Sequence, residues 1–291
     1  AFIGGGELYR RAVESGSIGI PFAHELNAWQ QVFVAVGLPG FIIFALIALL
    51  KDPPRKSKVE PPSIREVFSF IRRHMSAYGW LTLGMAAFGS LGYGLNAWAP
   101  AAAERTFGLS PAIVGRGLGV AVLAGSLTGI IVGGLLADWL SARRGGHMRL
   151  VLLMVAGCLV APVAFFAATA QSPAVALAAA AILFLLAAMP FSAGVAALQA
   201  ITPSEMRGQI SALYYATALV MAIIIGPALP PVIAAVFLDG EQSIGMALAW
   251  SMAGLGFIGV ACMGFALRGY IAASDEANER DSGLQPGLRG A

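Results

Sequence analysis

Charge is scarce in this sequence. Of its 291 residues, 11% carry a charged side chain and 58% are hydrophobic, whereas a soluble domain is about 25% charged. The composition therefore excludes a water-soluble fold and a disordered chain. The net charge of +3 is also too small for the basic footprint of a nucleic-acid-binding protein, so we expect no nucleic-acid partner.

Cysteine and histidine are rare as well. The two cysteines, Cys158 and Cys262, each lie inside an apolar run, and the three histidines lie outside these runs. Their spacing fits neither a metal site nor a disulfide framework, and no HExxH, GxSxG, P-loop or CxxC motif is present. The sequence predicts no enzyme, no cofactor and no metal.

Long uncharged runs are abundant, and a membrane-spanning helix needs about 20 apolar residues. One stretch, 150–204, is too long for a single span and divides at the turn signal Gln171-Ser172-Pro173. Seven spans are predicted, at 28–50, 76–103, 117–137, 150–170, 173–200, 208–238 and 242–267. The sequence therefore predicts an all-α integral membrane protein in the lipid bilayer.

The basic residues predict the orientation of these spans. Fourteen of the 18 Lys and Arg residues fall in one alternating set of loops, 51–75, 138–149, 201–207 and the tail from 268. Short loops rich in Lys and Arg lie on the cytoplasmic side. We expect the C-terminus to be cytoplasmic and the protein to lie in a bacterial inner membrane.

The loop 51–75 contains a second kind of helix. Ser63 and Glu66 fit a capping box, and Ile64, Val67, Phe68, Ile71 and Met75 follow at helical spacing among arginines. This pattern predicts an amphipathic helix on the cytoplasmic membrane surface, either as a tether between two bundles or as a simple linker.

The span 117–137 has one face of small residues. They recur at every fourth position: Gly117, Ala121, Gly125, Gly129, Gly133 and Ala137. Such a face lets another helix approach closely. It serves static packing, a sliding contact, or docking of another protein.

A short charged loop follows this span. Gly134, Asp138, Arg143 and Arg144 stand in the pattern G-x3-D-x4-R-R, which resembles the signature loop of the major facilitator superfamily. Trp139 replaces a basic residue of the usual motif. Asp138 lies near the lipid boundary and should be paired, with Arg207 or with the start of the helix near Gly208.

Further segments resemble the spinster-like branch of that family. They are Trp29 to Phe33, Gly37 to Gly40, Asp52 to Arg55, Asn96 to Pro100 with Arg105 and Gly108 to Ser110, and Pro203 to Gln209. Gln30 and Asp52 depart from the branch pattern.

The resemblance implies a transporter with two six-helix bundles and the substrate between them. Residues 1–50 would end the N-terminal bundle (the tail of helix five, a loop and helix six), and 51–75 would be the cytoplasmic linker. Residues 76–272 would form the C-terminal six-helix bundle, and 273–291 a disordered cytoplasmic tail. We therefore expect a fragment whose partner is the missing N-terminal bundle.

The resemblance also implies that four spans of the C-terminal bundle line the substrate cavity. Their candidate cavity residues are Tyr93, Asn96, Trp98, Met189, Ser192, Gln199, Tyr214 and Tyr215. Arg105 and Arg116 end two helices on the predicted outer side, where they anchor at the interface or attract an anionic head group. For each polar residue, the alternative is a hydrogen bond to a neighbouring helix.

No acidic residue, Lys or His lies deep in a complete span, which excludes a hydrolase inside the membrane. The resemblance therefore implies a secondary transporter for a small organic solute, amphipathic or lipid-like, that works by alternating access. The alternative is a membrane scaffold that docks a partner through the small-residue face of 117–137.

Overall fold

The computed structural model describes Leu8 and residues 11–19, 25–50, 62–238 and 243–281. Eight helices have defined bounds: α1 (Ala28–Ala48), α2 (Ile64–Arg73), α3 (Met75–Phe107), α4 (Pro111–Arg144), α5 (Met148–Ala168), α6 (Pro173–Ile201), α7 (Arg207–Phe237) and α8 (Ile244–Asp281). The described part of the chain contains no strand. Residues 1–6, which would hold the tail of helix five, lie outside the described residues, and so do residues 51–61 of the predicted linker.

Six of these helices, α1 and α4 to α8, are long and apolar enough to cross a membrane. Helix α3, which contains the predicted span 76–103, has 33 residues and is also long enough, but it is not among the helices that are apolar enough. The all-α membrane fold predicted from the sequence is confirmed.

The chain divides into two compact units, Ala1–Glu60 and Pro61–Ala291. In the first, Gln31 on α1 is buried and holds the preceding loop. Its side chain accepts a hydrogen bond from the Ile18 amide at 3.1 Å and donates to the carbonyls of Gly16 and Leu26 at 3.1 and 2.9 Å. A buried amide group is stable only when bonded in this way.

The second unit is a helical bundle. Helix α3 packs along α7 and α8, α4 along α6, and α5 along α6 and α8. Helices α4 and α6 begin with proline, at Pro111 and Pro173, where the missing N–H costs nothing. The φ angle is 64° at Gly108, after α3, and 98° at Gly145, after α4. These are left-handed conformations that end a helix sharply.

The core of the bundle forms around α3. The Phe88 ring is fully buried and lies between Gly157 of α5 and Gly259 of α8. A Cβ atom at Gly259 would lie 2.8 Å from the ring, and one at Gly157 3.0 Å from it. These glycines let three helices meet around one aromatic side chain.

Two predictions about the ends of the bundle have different outcomes. The capping box before α2 is present, with the Ser63 amide 3.0 Å from the Glu66 carboxylate. The disordered tail from residue 273 is wrong up to Asp281, because α8 continues to that residue. Ala273 and Ala277, one turn apart, are buried against the bundle and hold this part of the helix. Residues 282–291 lie outside the described part.

Candidate functional site

Two of the predicted cavity residues meet in one pocket. Tyr93 and Asn96, one turn apart on α3, line a cavity of about 240 Å³ with Ser126 of α4. The other lining residues come from α3 and α6: Gly89, Gly92, Phe184, Ala187, Ala188 and Phe191. We call this space the Asn96 pocket.

The polar groups of the Asn96 pocket retain bonding capacity. The Asn96 amide nitrogen donates to the Gly92 carbonyl at 2.8 Å, which leaves the side-chain oxygen and a second N–H for a ligand. The Tyr93 hydroxyl has no hydrogen-bond partner among the described residues. The pocket therefore offers donors and acceptors on one wall.

Two aromatic residues of α6 that line the Asn96 pocket were not predicted from the sequence. Phe184 and Phe191 lie seven residues apart on α6, so they occupy one helix face, and both line the Asn96 pocket. Their spacing could have placed both rings on one helix face, but not against α3. Ala187 and Ala188 between them leave the space into which an apolar group fits.

Trp98 lies outside this pocket and serves a different role. Its indole nitrogen donates to the carbonyl of Pro227 on α7 at 2.7 Å. In a helix that carbonyl would accept from residue 231, but Pro231 has no N–H. The indole therefore satisfies a carbonyl that the prolines of α7 leave without a donor.

Helices α3 and α7 cross at glycines beside this bond. A Cβ atom on Gly94 would lie 2.8 Å from the Gly226 carbonyl oxygen. That oxygen also lacks a helical donor, because residue 230 is proline. The prolines of α7 therefore leave two neighbouring carbonyl groups without a helical donor. The Gly226 carbonyl lies against the backbone of Gly94 on α3, and the Pro227 carbonyl accepts the hydrogen bond from Trp98.

The structure does not bring the predicted residues of α6 into the Asn96 pocket. Met189 is buried and lies against Gly133. The Ser192 hydroxyl donates to the Met189 carbonyl of its own helix at 3.1 Å. Gln199 is exposed and does not line the pocket.

The two tyrosines of α7 also lie elsewhere. Tyr214 is buried and its hydroxyl has no partner among the described residues. Tyr215 is 41% exposed, and the ring centroids of the pair are 5.5 Å apart. Neither tyrosine lines the Asn96 pocket.

The small-residue face of α4 contacts α6. A Cβ atom at Gly125 would collide with the Ala181 carbonyl, one at Gly129 with the Leu185 carbonyl, and one at Gly133 would lie 3.0 Å from the Met189 Cα. A Cβ atom at Gly117 would lie 2.7 Å from Cδ1 of the Leu177 side chain. The face is therefore packed within this chain. We call this contact the glycine seam.

The charged loop after α4 corrects one expectation. Asp138 is 74% exposed and its Oδ1 lies 3.7 Å from Nη2 of Arg149, so pairing with Arg207 or the start of α7 is wrong. Arg149 is closer because it follows on the first turn of α5. Gly134 faces Ser192, its Cβ position being 3.6 Å from the Ser192 Cβ.

The arginines of the predicted set bond locally. The Arg143 guanidinium lies 4.5 Å from the centroid of the Trp139 ring, a cation–π contact, and Arg144 is exposed. Arg207 donates to the Thr202 carbonyl at 3.1 Å. In the loop before it, a hydrogen bond from the Ser204 hydroxyl lowers the pKa of the Glu205 carboxyl.

At the opposite end of the bundle, Arg105 and Arg116 are both exposed. The Arg116 Nε donates to the Ala112 carbonyl at 3.3 Å. No group of three or more His, Cys, Asp or Glu side chains that could hold a metal ion occurs in the described ranges.

The chain is related to a known protein family. Residues 15–227 match the family model described as Major Facilitator Superfamily. The chain belongs to the Major Facilitator Superfamily. The resemblance found in the loop at Gly134 and Asp138 is thereby confirmed.

One curated superfamily relative is an MFS-type efflux pump of Mycolicibacterium smegmatis. It is 25% identical over 247 residues, which cover 80% of this chain and 55% of the relative. The chain therefore spans about half the length of the curated relative that it matches.

Solved structures share the fold of this chain. A bacterial homologue of the human lysosomal transporter Spinster, inward-facing and unoccupied, matches with a TM-score of 0.57 and 20% identity over 97% of this chain and 67% of that one. The same homologue, inward-facing and occupied, gives a TM-score of 0.52 at 20% identity over 97% of this chain and 66% of that one. These two matches confirm the fold that the resemblance to the spinster-like branch implied.

Proposed function

We propose that this chain is part of a secondary transporter that moves a small amphipathic or lipid-like organic solute by alternating access, and that it acts without enzymatic chemistry. The observation that carries the proposal is the Asn96 pocket. One wall offers polar groups of Tyr93 and Asn96, and the other offers two phenylalanine rings. This combination suits a solute with one polar and one apolar part.

The proposal assigns parts of the transporter to the chain. Residues 1–50 would close the N-terminal bundle, 51–75 would link the bundles, and 76–272 would be the C-terminal bundle. The partner is the N-terminal bundle of the same protein. Membership of the superfamily supports this assignment, since substrate sites of secondary transporters lie at the interface between repeats.

Substitution of Asn96 in the full-length transporter tests the function. Asn96→Ala should reduce uptake or efflux of the solute about tenfold, the loss expected for about 1.4 kcal/mol of binding, with unchanged protein amount in the membrane. The assay is flux into vesicles over a panel of lipids, drugs and organic anions. Gln171→Ala is the matched control, because Gln171 is an exposed amide in the loop between α5 and α6. Equal flux in both variants would remove the Asn96 pocket from the mechanism.

The orientation is a separate proposal. We propose that the loops after α4 and α6, and the C-terminus, lie in the cytoplasm of a bacterium, and the excess of Lys and Arg in these segments supports this orientation. A green fluorescent protein fused after Ala291 should fluoresce, whereas alkaline phosphatase fused there should be inactive. Active phosphatase would reverse the orientation.

The scaffold alternative requires a free small-residue face on α4. Gly125, Gly129 and Gly133 contact α6 of the same chain, which leaves this face unavailable to another protein. We therefore favour the transporter.

A further inference from the structure

A second cavity lies inside the bundle itself. Helices α3, α4, α5, α6 and α8 enclose a space of about 210 Å³ at the end of the bundle where α3 ends and α4 begins. It shares no lining residue with the Asn96 pocket. We call this space the alanine cavity, because nine of its 22 lining residues are alanine.

The alanines explain why the space exists. Ala180 of α6 and Ala249 of α8 are buried and line the cavity with Leu118, Leu183 and Leu248. A core reaches its normal density when large side chains on one helix fill gaps beside small ones on another. Here alanines on several helices border the same space, so no side chain fills it.

The lining determines what can enter. Thr106 is the one polar side chain among the described residues that line the cavity. A water molecule needs two to four polar partners, and a dry apolar cavity of about 150 Å³ binds benzene. A cavity of this size and lining therefore favours a hydrocarbon ligand over water.

Two arginines that neighbour the lining residues indicate the charge of the ligand's other end. Arg105 is the neighbour of Thr106 at the end of α3, and Arg116 lies one turn after the lining residue Ile113 on α4. Both arginine side chains are exposed. A guanidinium binds carboxylate and phosphate groups well, so the basic pair complements an anionic head group.

We propose that the alanine cavity binds the alkyl chain of a single-chain anionic amphiphile, with the head group held by Arg105 and Arg116. This site lies within one bundle and does not depend on the proposed transport through the Asn96 pocket.

Photolabelling of the full-length protein in phosphatidylcholine nanodiscs tests the site. The probe is a dodecanoic acid with a diazirine at the end of the chain, and labelled peptides are located by mass spectrometry. Label is expected on residues 173–183 and 245–252, and an excess of unlabelled dodecanoic acid should remove it. Label spread evenly over exposed residues of all helices, without competition, would overturn the proposal.

A cavity-filling variant sharpens this experiment. Ala180→Leu adds apolar volume inside the cavity and should reduce the label on these peptides about tenfold, a change equivalent to about 1.4 kcal/mol. Ala174→Leu is the matched control, because Ala174 is exposed on the same helix and does not line the cavity. Equal labelling of the two variants would contradict the proposal.

The head group is tested without changing the cavity, which keeps the proposal testable if Ala180→Leu does not fold. Arg105→Gln combined with Arg116→Gln should weaken labelling by the dodecanoic acid probe. The same probe with an alcohol in place of the carboxyl group should label the double variant and the parent equally. Undiminished labelling by the acid would refute the role of the arginines.

Discussion

Two regions of the bundle hold helices together by different means. In the glycine seam, α4 and α6 meet through backbone atoms. At the end of the bundle rich in Lys and Arg, α2, α3, α7 and α8 are joined by polar side chains. There His74 Nε2 lies 2.9 Å from the Glu276 carboxylate, and Gln209 donates to the Pro62 carbonyl at 3.1 Å.

The difference lies in what each contact can tolerate. Backbone atoms in the glycine seam cannot move without moving a whole helix, so one added methyl group displaces α4 from α6. Each polar contact at the other end is worth about 1 kcal/mol net, and its loss leaves the neighbouring contacts in place. A single substitution should therefore lower the stability of the protein strongly in the glycine seam and only slightly at the polar end.

The largest effect is expected in the glycine seam. Gly129→Ala places a methyl group against the Leu185 carbonyl and should lower the free energy of unfolding by about 3 kcal/mol, seen as a lower melting temperature of the purified protein. Gly115→Ala on the same helix meets nothing within 4 Å and should stabilise by up to about 1 kcal/mol. Equal melting temperatures for the two variants would contradict the seam.

A smaller effect is expected at the polar end. The Tyr78 hydroxyl lies 2.9 Å from the Thr202 hydroxyl and 3.1 Å from the Ile201 carbonyl, so Tyr78→Phe should cost about 1 kcal/mol. Thermal denaturation of the purified protein measures the loss. Tyr215→Phe is the control and should melt like the parent, because this ring is half-exposed and its hydroxyl has no partner among the described residues. If Tyr78→Phe lowered the melting temperature as much as Gly129→Ala, the two regions would not differ in the substitutions that they tolerate.

The smallest effect on stability is expected at Asp138. Its contact with Arg149 is long and the Asp138 side chain is exposed, so Asp138→Asn should change the free energy of unfolding by less than about 0.5 kcal/mol. In the full-length transporter the same variant should shift the balance between inward-open and outward-open states. Cysteine accessibility labelling measures that shift, and an unaltered pattern would count against a gating role for the loop.

The sequence predicted the helices better than their partners. The turn signal Gln171-Ser172-Pro173 predicted the start of α6, which begins at Pro173, because local chemistry determines a helix start. The start of α4 at Pro111 lies six residues before the predicted span. The small residues of α4 predicted a face for close approach, but nothing local names α6 as the neighbour.

The candidate site shows the same limit. Tyr93 and Asn96 were found because their spacing places them on one helix face, whereas Phe184 joins them only through packing of α6 against α3. Trp98 was interpreted as a cavity residue because its role depends on a proline that follows it by more than a hundred positions. Long-range pairing of this kind leaves no local signal.

The bond between the Trp98 indole and the Pro227 carbonyl has a consequence for motion. The net contribution of such a bond to stability is about 1 kcal/mol. Opening of this bond would leave α3 and α7 in contact at Gly94 and Gly226, so it would change only how firmly this part of α7 is held. The prolines of α7 therefore make one of its attachments to α3 depend on a single side-chain hydrogen bond.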